Sequence, residues 1–253
     1  MNAAPHTDSA PVVALVTGAS RGLGLALAHA LAAEGWRLVI TARGAAELAG
    51  AAAGLAAVTE VVALPGSIVD DDHRAHLAEA AERLGGASLL INNAGSLNGA
   101  AAPGAEPLPR LADFPLPDLL ELFEVNALAP IALTQLVLPQ LRARSGAVLN
   151  ISSDAAVVPY LGWGGYGASK AALDLASAVL AREEPELRVW AVDPGSMRTR
   201  MLQEASPGED ISGEPLPEQV APLLLDLLRG RTPSGRYRAE DLAAVPVPVR
   251  GGR

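Results

Sequence analysis

Tyr166 and Lys170 stand four positions apart in the segment YGASK, with only small residues between them. Residues four apart lie on one face of an α-helix, within reach of each other. A phenol is a poor acid or base at neutral pH because its pKa is about 10, and a neighbouring ammonium lowers that value by favouring the phenolate. The pair therefore predicts a proton-transfer site. Tyrosine and lysine also meet at this spacing by chance on many helices, so other segments must decide between the two interpretations.

The composition is that of a large α/β domain with an aliphatic core. Of the 253 residues, 50% are hydrophobic and only 3% aromatic, so Ala, Leu and Val must fill the interior. The net charge of −9 argues against a nucleic-acid backbone or an anionic membrane as partner. The chain has no cysteine and its polar residues 1–10 do not resemble a signal peptide, which predicts a soluble cytoplasmic protein. The four histidines form no metal-like group with carboxylates, and we predict no metal site.

Short apolar runs alternate with longer amphipathic segments along the chain. The runs are apolar nearly throughout, which is typical of strands covered on both faces, and short links imply right-handed crossovers. We predict an α/β fold with a doubly wound, central parallel sheet flanked by helices on both faces. It forms a single domain over 11–245, with a disordered N-terminus at 1–10 and a flexible tail at 246–253. The predicted strands are 12–16, 37–41, 58–64, 87–91, 146–151 and 187–192, and the predicted helices are 22–34, 45–53, 70–84, 117–142, 165–183 and 217–229.

Two stretches rich in Gly and Pro, 96–117 and 195–217, interrupt this alternation. Neither is predicted to form a regular element, apart from a short helix around 198–205. Both follow a predicted strand, so both are expected at the carboxyl edge of the sheet, where ligands bind in such folds. The arginines near the C-terminus are interpreted as a solvated tail; they are Arg229, Arg231, Arg236 and Arg238.

The segment TGASRGLG at 17–24 follows the first predicted strand and opens the first predicted helix. Gly18, Gly22 and Gly24 fall where glycine lets backbone amides approach an anion and where a helix offers unpaired N–H groups. The spacing differs from G-x-G-x-x-G, so the position after the first strand carries the prediction of a nucleotide phosphate site. A turn that needs glycine only for packing is the alternative.

The end of the second predicted strand bears on the choice of cofactor. Proteins that prefer NAD usually carry an acidic residue there, which holds the ribose 2′-hydroxyl. This chain has ITARG instead, with Arg43 and no carboxylate. Arg43 and Arg21 together offer charge-assisted hydrogen bonds to a 2′-phosphate, which predicts NADP(H) over NAD(H). The alternative is that both are ordinary surface arginines.

Six segments follow one another in chain order and span about residues 11 to 200. They are TGASRGLG (17–24), NNAG (92–95), Asn126, ISS (151–153), YGASK (166–170) and PG (194–195). In this order they resemble the short-chain dehydrogenase/reductase family. The resemblance implies a Rossmann-type domain and an oxidoreductase that moves a hydride between a nicotinamide and a carbonyl or secondary alcohol. A cofactor-binding sensor without catalysis, or an epimerase or dehydratase on the same scaffold, is the alternative.

The resemblance assigns four catalytic residues. Tyr166 is implied to be the proton donor and acceptor, and Lys170 its electrostatic partner and a ligand of the nicotinamide ribose. Ser153 is implied to bond the substrate oxygen, with Ser152 as the adjacent competitor. Asn126 is implied to support a proton relay through water to the lysine, unless it is a satisfied structural amide.

The resemblance also implies the cofactor contacts. Pro194 and Gly195 would shape the nicotinamide face, Thr199 would bond its carboxamide, and Asn92 would steady the sheet. A departure lies in GSIVD, where family members often carry Asp, so the adenine is left to Ser67 or the backbone. The implied contacts are Gly18, Ser20, Arg21, Gly22, Leu23, Gly24, Arg43, Ser67, Ile68, Asn93, Ala94, Gly95, Tyr166, Lys170, Pro194, Gly195 and Thr199.

The expected partner is a small carbonyl or alcohol substrate, with neither nucleic acid nor membrane. A fairly apolar substrate is expected from the residues near the pocket mouth, which are Leu97, Pro159, Leu161, Trp163, Met197 and Met201. A homodimer or homotetramer is expected by resemblance, through the helices at 117–142 and 165–183.

Overall fold

The computed structural model describes residues 12–97, 108–230 and 232–243. The predicted disordered N-terminus and flexible C-terminal tail lie outside the described residues, as do Arg231 and residues 98–107 of the first Gly- and Pro-rich stretch.

Within the described residues, seven parallel strands form one sheet in the order β3-β2-β1-β4-β5-β6-β7. The chain winds outward from β1 in one direction and returns to continue from β4 in the other, so a crevice opens between the carboxyl ends of β1 and β4. The strands are β1 (Val13–Thr17), β2 (Arg37–Ala42), β3 (Val61–Pro65), β4 (Ala87–Asn92), β5 (Ala147–Ile151), β6 (Arg188–Asp193) and β7 (Gly235–Arg238).

Helices connect the strands and cover both faces of the sheet. Two short 3-10 turns lie at Leu111–Asp113 and Asp154–Ala156, and a π-helical turn at Glu124–Leu128 joins α4 to α5. The α-helices are α1 (Gly22–Ala33), α2 (Ala45–Ala56), α3 (Asp71–Arg83), α4 (Leu116–Phe123), α5 (Ala129–Arg144), α6 (Gly164–Glu183), α7 (Arg200–Ala205), α8 (Pro217–Arg229) and α9 (Ala239–Ala243).

Alternate residues of each strand supply two hydrophobic clusters on opposite faces of the sheet. Val16 of β1 packs with α1 and α8, whereas its neighbour Leu15 packs with α3 and α5. Both side chains are fully buried. The near-continuous apolar character of the strands follows from this double coverage, and the predicted doubly wound sheet is confirmed.

The observed elements differ from the predicted ones at three places. Strand β3 begins at Val61 rather than at 58, because Thr59 follows the end of α2 and donates its hydroxyl to the carbonyl of Trp36 at 2.7 Å. The helix predicted over 117–142 is divided by the π-turn. The predicted short helix after β6 is present as α7, and the sequence patterns missed β7 and α9.

Three of the four arginines interpreted as a solvated tail, Arg229, Arg236 and Arg238, belong to folded elements, so that interpretation was wrong for them. Arg229 ends α8 and pairs with Asp226 and with Glu34 at the end of α1. Arg236 lies in β7 and is largely buried, because pairing of β7 with β6 draws this part of the chain onto the edge of the sheet. Arg238, on the same strand, is half exposed.

The continuous helical stretch from Leu116 to Arg144 is long and apolar enough to cross a membrane, with a mean hydropathy of 1.4. Core helices of globular domains pass the same test. Here 44% of the most apolar window is buried inside the fold, and α5 packs against β4 and α3. We therefore assign this stretch to the core of the domain.

Candidate active site

The glycine loop connects β1 to α1 at the crevice. Gly18 and Gly22 adopt φ angles of 67° and 57°, which disfavour other residues. Gly24 is required for a different reason, because an added Cβ would lie 2.3 Å from the carbonyl oxygen of Gly18. The N-cap residue Arg21 makes no side-chain capping bond, so the first N–H groups of α1 remain available to an anion.

Asn93 braces this loop from the end of β4. Its Nδ2 donates to the carbonyl oxygens of Thr17 and Gly18 at 2.9 and 3.1 Å. The Thr17 hydroxyl in turn accepts the N–H groups of Asn93 and Ala94, each at 3.0 Å. The structure thus gives the Asn93 side chain a bracing role within the protein, although it was predicted as a cofactor contact.

Asn92 bonds across the sheet rather than into the crevice. Its Nδ2 donates to Oδ1 of Asn150 at 2.7 Å, and Asn150 donates to the hydroxyl of Ser177 on α6, also at 2.7 Å. The three buried side chains tie β4, β5 and α6 together. Asn92 therefore holds the strand ends that carry the site.

Tyr166 lies in the first turn of α6 and is 7% exposed. Two flanking glycines let this helix end pack closely: a Cβ on Gly165 would lie 2.6 Å from the ring of Phe114, and one on Gly167 would lie 2.4 Å from the carbonyl oxygen of Ala155. The ring of Trp163 meets Tyr166 edge to face, with 5.6 Å between centroids. The tyrosine is held from three sides.

Lys170 lies one turn further along α6 and is 3% exposed. Its Nζ donates to the carbonyl oxygen of Ile151 at 2.8 Å and lies 5.7 Å from the centroid of the Tyr166 ring. The two side chains thus share one face of the helix at the carboxyl end of β5. This is the arrangement that the four-residue spacing predicts.

Asn126 is fully buried in the π-turn between α4 and α5. Its amide accepts the N–H of Ser96 at 2.9 Å and donates to the Ser96 carbonyl at 2.8 Å and to the Ser169 hydroxyl at 3.0 Å. A Cβ on Gly95 would lie 3.2 Å from Asn126 Oδ1 and 3.6 Å from Lys170 Nζ. The loop after β4, the π-turn and α6 therefore converge beside the lysine.

Ser153 and Ser152 have different environments at the end of β5. The Ser153 hydroxyl donates to Oδ1 of Asp154 at 3.1 Å and accepts the N–H of Ala155 at 3.2 Å. It also lies close enough to the phenol of Tyr166 to act on the pKa of that group. The Ser152 hydroxyl is buried, away from solvent, and has no hydrogen-bond partner among the described residues. The geometry thus brings Ser153, and not Ser152, to the tyrosine.

Burial dominates the electrostatics of the site. It raises the pKa of Tyr166 well above its ordinary value, against the opposite effect of Ser153, and the carboxylates of Asp154 and Asp193 raise it further. Burial lowers the pKa of Lys170 to about 8, against the attraction of Asp174. In this protein environment the phenol is neutral at neutral pH, whereas the spacing alone predicts a pKa lowered by the ammonium. The difference arises because both groups are removed from water.

The loop after β6 borders the crevice on the other side. Gly195 has a φ angle of 73°, and a Cβ added there would meet no atom within 4 Å, so open space lies beside it. Its N–H donates to Oδ1 of Asp193, next to Pro194, at 3.0 Å. Thr199 caps α7, and its methyl group lies 3.7 Å from where a Cβ on Gly22 would be. The predicted nicotinamide segment thus lies against the glycine loop.

The residues predicted to hold the adenosine half of the cofactor differ in how exposed their side chains are. Arg21 is half exposed and pairs with Glu47 on α2 at 3.0 Å, while Arg43 is exposed. Leu23 and Ile68 are buried, so only their backbones are available to a ligand. Ser20, Ser67, Ala94 and Gly95 are partly exposed.

Three charged residues at the site were missed by the sequence interpretation. Asp154 accepts from Ser153 and from the Tyr160 hydroxyl, and Asp174 pairs with Arg236. Asp154 directly follows the predicted serine, so its position was a usable signal. A second overlooked signal is composition: Lys170 is the only lysine in a chain with 18 arginines.

The site and the fold together define an NAD(P)-type oxidoreductase, and comparison with known proteins identifies the family. A family model described as short chain dehydrogenase matches residues 12–210, and the chain belongs to this family. It is an oxidoreductase that acts on an alcohol or carbonyl group.

Named relatives cover most of the chain. The serine 3-dehydrogenase of Rhizobium radiobacter is 32% identical over 215 residues, 84% of this chain and 82% of that protein. The rhamnolipids biosynthesis 3-oxoacyl-[acyl-carrier-protein] reductase of Pseudomonas aeruginosa is 30% identical over 257 residues, 98% of this chain and 92% of that protein. The solved structure of L-sorbose reductase from Gluconobacter frateurii, complexed with NADPH and L-sorbose, superposes with a TM-score of 0.78 at 26% identity, covering 90% of this chain and 94% of that one.

A dinucleotide fits the residues that line the crevice. The uncapped N-terminus of α1 suits a pyrophosphate, and the space beside Gly195 leaves room for a planar ring. Exposed Arg43 and half-exposed Arg21 supply cationic groups at the end of β2.

Proposed function

We propose that this protein is an NADP(H)-dependent reductase that acts on a carbonyl compound, with Tyr166 as the proton donor. The observation that carries the proposal is the convergence of Tyr166, Ser153 and Lys170 at the carboxyl edge of the sheet, beside the glycine loop. Bound NADPH supplies the hydride.

Four side chains of the site have distinct roles in the proposed reaction. The Tyr166 hydroxyl donates its proton to the substrate oxygen, and the Ser153 hydroxyl donates a hydrogen bond to the same atom. Lys170 as an ammonium stabilises the phenolate that remains. Asn126 holds the loop after β4 against α6 through its bonds to Ser96 and Ser169.

The protonation state of Tyr166 suits its role as a proton donor. A neutral phenol is the form that donates a proton, and burial together with Asp154 and Asp193 keeps Tyr166 in that form.

The cofactor preference rests on Arg43 and Arg21 and on the absence of an acidic residue from the segment ITARG at the end of β2. The complex of L-sorbose reductase with NADPH supports NADP(H) as the cofactor. We propose that NADP(H) is preferred over NAD(H). Comparable affinity for the two cofactors in a fluorescence titration would contradict this preference.

The substrate is proposed to have an apolar part. Tyr166 belongs to a cluster that includes Leu97, Leu122, Phe114 and Trp163. The relatives' names range from a free amino acid to an acyl-carrier substrate, so they do not choose between polar and apolar compounds. Of the residues expected near the pocket mouth, Met197 is packed in the main core instead.

We also propose that residues 11–245 act as one unit in the cytoplasm and assemble as a homodimer or homotetramer. Exposed apolar side chains on α5 and α6, among them Leu136, Leu175 and Val179, support an interface there. The assembly is measured by sedimentation, where a monomer would contradict it.

The test is turnover of a panel of ketones and aldehydes with NADPH and NADH, read by the absorbance of the reduced nicotinamide. Tyr166→Phe is expected to lower kcat by about 100-fold or more, because a positioned proton donor contributes about 10² to 10⁴ in rate. Tyr237→Phe is the matched control, since the Tyr237 hydroxyl bonds Pro233 outside the site. Equal turnover by wild type and Tyr166→Phe would refute the proposal, and conversion of substrate without net cofactor consumption would instead indicate an epimerase or dehydratase.

A further inference from the structure

Arg236 connects three elements behind the active site. Its Nε donates to Oδ2 of Asp174 on α6 at 2.8 Å, and its Nη2 donates to the carbonyl oxygen of Ser153 at 2.9 Å. These contacts join residues that are 62 and 83 positions apart in the sequence. A guanidinium presents its donors in a rigid planar fork, so Arg236 holds the carboxylate and the carbonyl in one relative arrangement.

Asp174 lies one helical turn beyond Lys170 and its side chain is 12% exposed. Arg236 donates a hydrogen bond to Oδ2 of Asp174. The other carboxylate oxygen, Oδ1 of Asp174, is buried and has no hydrogen-bond partner among the described residues. Leaving a buried acceptor unpaired is unfavourable, because no hydrogen bond replaces the water that it loses. A charge held in this way acts on its neighbours through a medium that screens it poorly.

Lys170 is the neighbour on which this charge acts. Among the described residues its Nζ donates one side-chain hydrogen bond, to the neutral carbonyl of Ile151, and the side chain is 3% exposed. Burial by itself favours the neutral amine. Among the described residues, the carboxylate that acts against this effect is Asp174.

We propose that Asp174 and Arg236 are positioning residues of the active site: Arg236 fixes the main chain at Ser153, and Asp174 keeps Lys170 an ammonium. The inference rests on the proposed function, because the two roles are defined relative to Ser153, Tyr166 and Lys170. A neutral amine at position 170 stabilises no phenolate, and a displaced Ser153 no longer aims its hydroxyl at the substrate oxygen.

Removing the two residues has opposite effects on Lys170. Asp174 attracts the proton of Lys170, whereas Arg236 neutralises part of the Asp174 charge. Loss of a merely structural contact would not depend on the sign of the charge removed. Lys170 faces Tyr166 and Asp174 on its own helix α6. The groups that act on these two are Arg236 on β7, which pairs with Asp174, and Asp154 after β5 and Asp193 at the end of β6, which act on Tyr166.

The lone lysine makes the ionisation of Lys170 directly measurable. Full-length protein labelled at the lysine ε-carbon gives one lysine signal, whose chemical shift reports protonation without substrate or cofactor. The wild-type midpoint is expected at about pH 8. Asp174→Asn is expected to lower it by about one pH unit, and Arg236→Gln to leave it in place or raise it. Glu183→Gln is the matched control, because it removes an exposed carboxylate from the same helix.

Activity supplies the second measurement. In Asp174→Asn the alkaline limb of kcat is expected to move to lower pH together with the lysine midpoint. In Arg236→Gln kcat is expected to fall about tenfold at all pH values, because Ser153 is released, without a downward shift of that limb. Asp174→Glu, which keeps the charge, is expected to restore the midpoint.

The proposal is overturned if Asp174→Asn leaves the lysine midpoint at the wild-type value, or if both variants move it in the same direction. If Asp174→Asn does not fold, Arg236→Gln alone decides, and a midpoint below wild type overturns the proposal. Failure of the proposed function gives a different result. The wild-type protein would then reduce no carbonyl compound, while the lysine titration would still show the effect of Asp174 on the protonation of Lys170.

Discussion

Replacing Gly24 by alanine is expected to break the contact between the glycine loop and the end of β4. An added Cβ would lie 2.3 Å from the carbonyl oxygen of Gly18 and 2.4 Å from Nδ2 of Asn93. The first neighbour is backbone, and the second already donates two hydrogen bonds, to Thr17 and Gly18. Neither can move away without disturbing the loop that holds the phosphate in the proposed function.

The magnitude follows from three contributions. Overpacking of a well-packed site costs about 1–3 kcal/mol, and loss of the two Asn93 hydrogen bonds costs about 1 kcal/mol each. Alanine recovers about 1 kcal/mol through its higher helix propensity. We expect a net destabilisation of about 2–4 kcal/mol for Gly24→Ala.

Gly50 on α2 provides a matched control for this substitution. It also lies inside a helix, but no atom lies within 4 Å of an added Cβ. Gly50→Ala should therefore show the propensity gain alone and stabilise the protein by about 0.5–1 kcal/mol. The two substitutions are chemically identical and differ only in the space available.

Urea unfolding followed by circular dichroism measures both effects, and NADPH fluorescence titration measures the loop. Gly24→Ala is expected to lower the unfolding midpoint and weaken NADPH binding, whereas Gly50→Ala raises the midpoint and leaves binding unchanged. If both variants shift the midpoint in the same direction, the reasoning from close approach at Gly24 is wrong.

Two further predictions concern charge. The folded-state pKa of Lys170 is about 8, below the ordinary value of about 10.4, so between these values the unfolded chain binds a proton that the folded chain does not. Urea midpoints should therefore rise with pH across this window, and Lys170→Met should abolish the rise; a rise that persists in Lys170→Met contradicts the assignment. Glu47 pairs with Arg21 on the surface, so Glu47→Gln should tighten NADPH binding about two- to fivefold at low salt and leave NADH unchanged. Glu60→Gln, which removes a carboxylate paired with Arg37 elsewhere on the surface, should change neither affinity.

Most of the fold could be predicted because its signals are local. The run VALV at 13–16 is apolar throughout because both faces of β1 are covered. The intervening helices are indicated by the periodicity of their apolar residues and by residues that end them, such as Gly85. Strand β7 could not be predicted in this way. Its sequence GRYR carries little apolar character, and it becomes a strand because the edge of β6 offers it a partner.

The candidate site was predictable to the extent that it depends on spacing and motif order. Tyr166 and Lys170 meet because a helix brings residues four apart together, and this holds wherever the helix lies. The contact of Arg236 with Ser153 depends on β7 lying beside β6, and no pattern within either segment records it. The same is true of Asn93, whose bracing role depends on β4 lying next to β1.

The amino-acid sequence by itself determined the alternation of strands and helices, the glycine loop after β1 and the shared helix face of the tyrosine and the lysine. All of these follow from interactions between residues close together in the chain. Only the tertiary structure decided the protonation states at the site. Burial beneath the loops after β4 and β5 raises the pKa of Tyr166 and lowers that of Lys170, because desolvation depends on every segment packed around a charge.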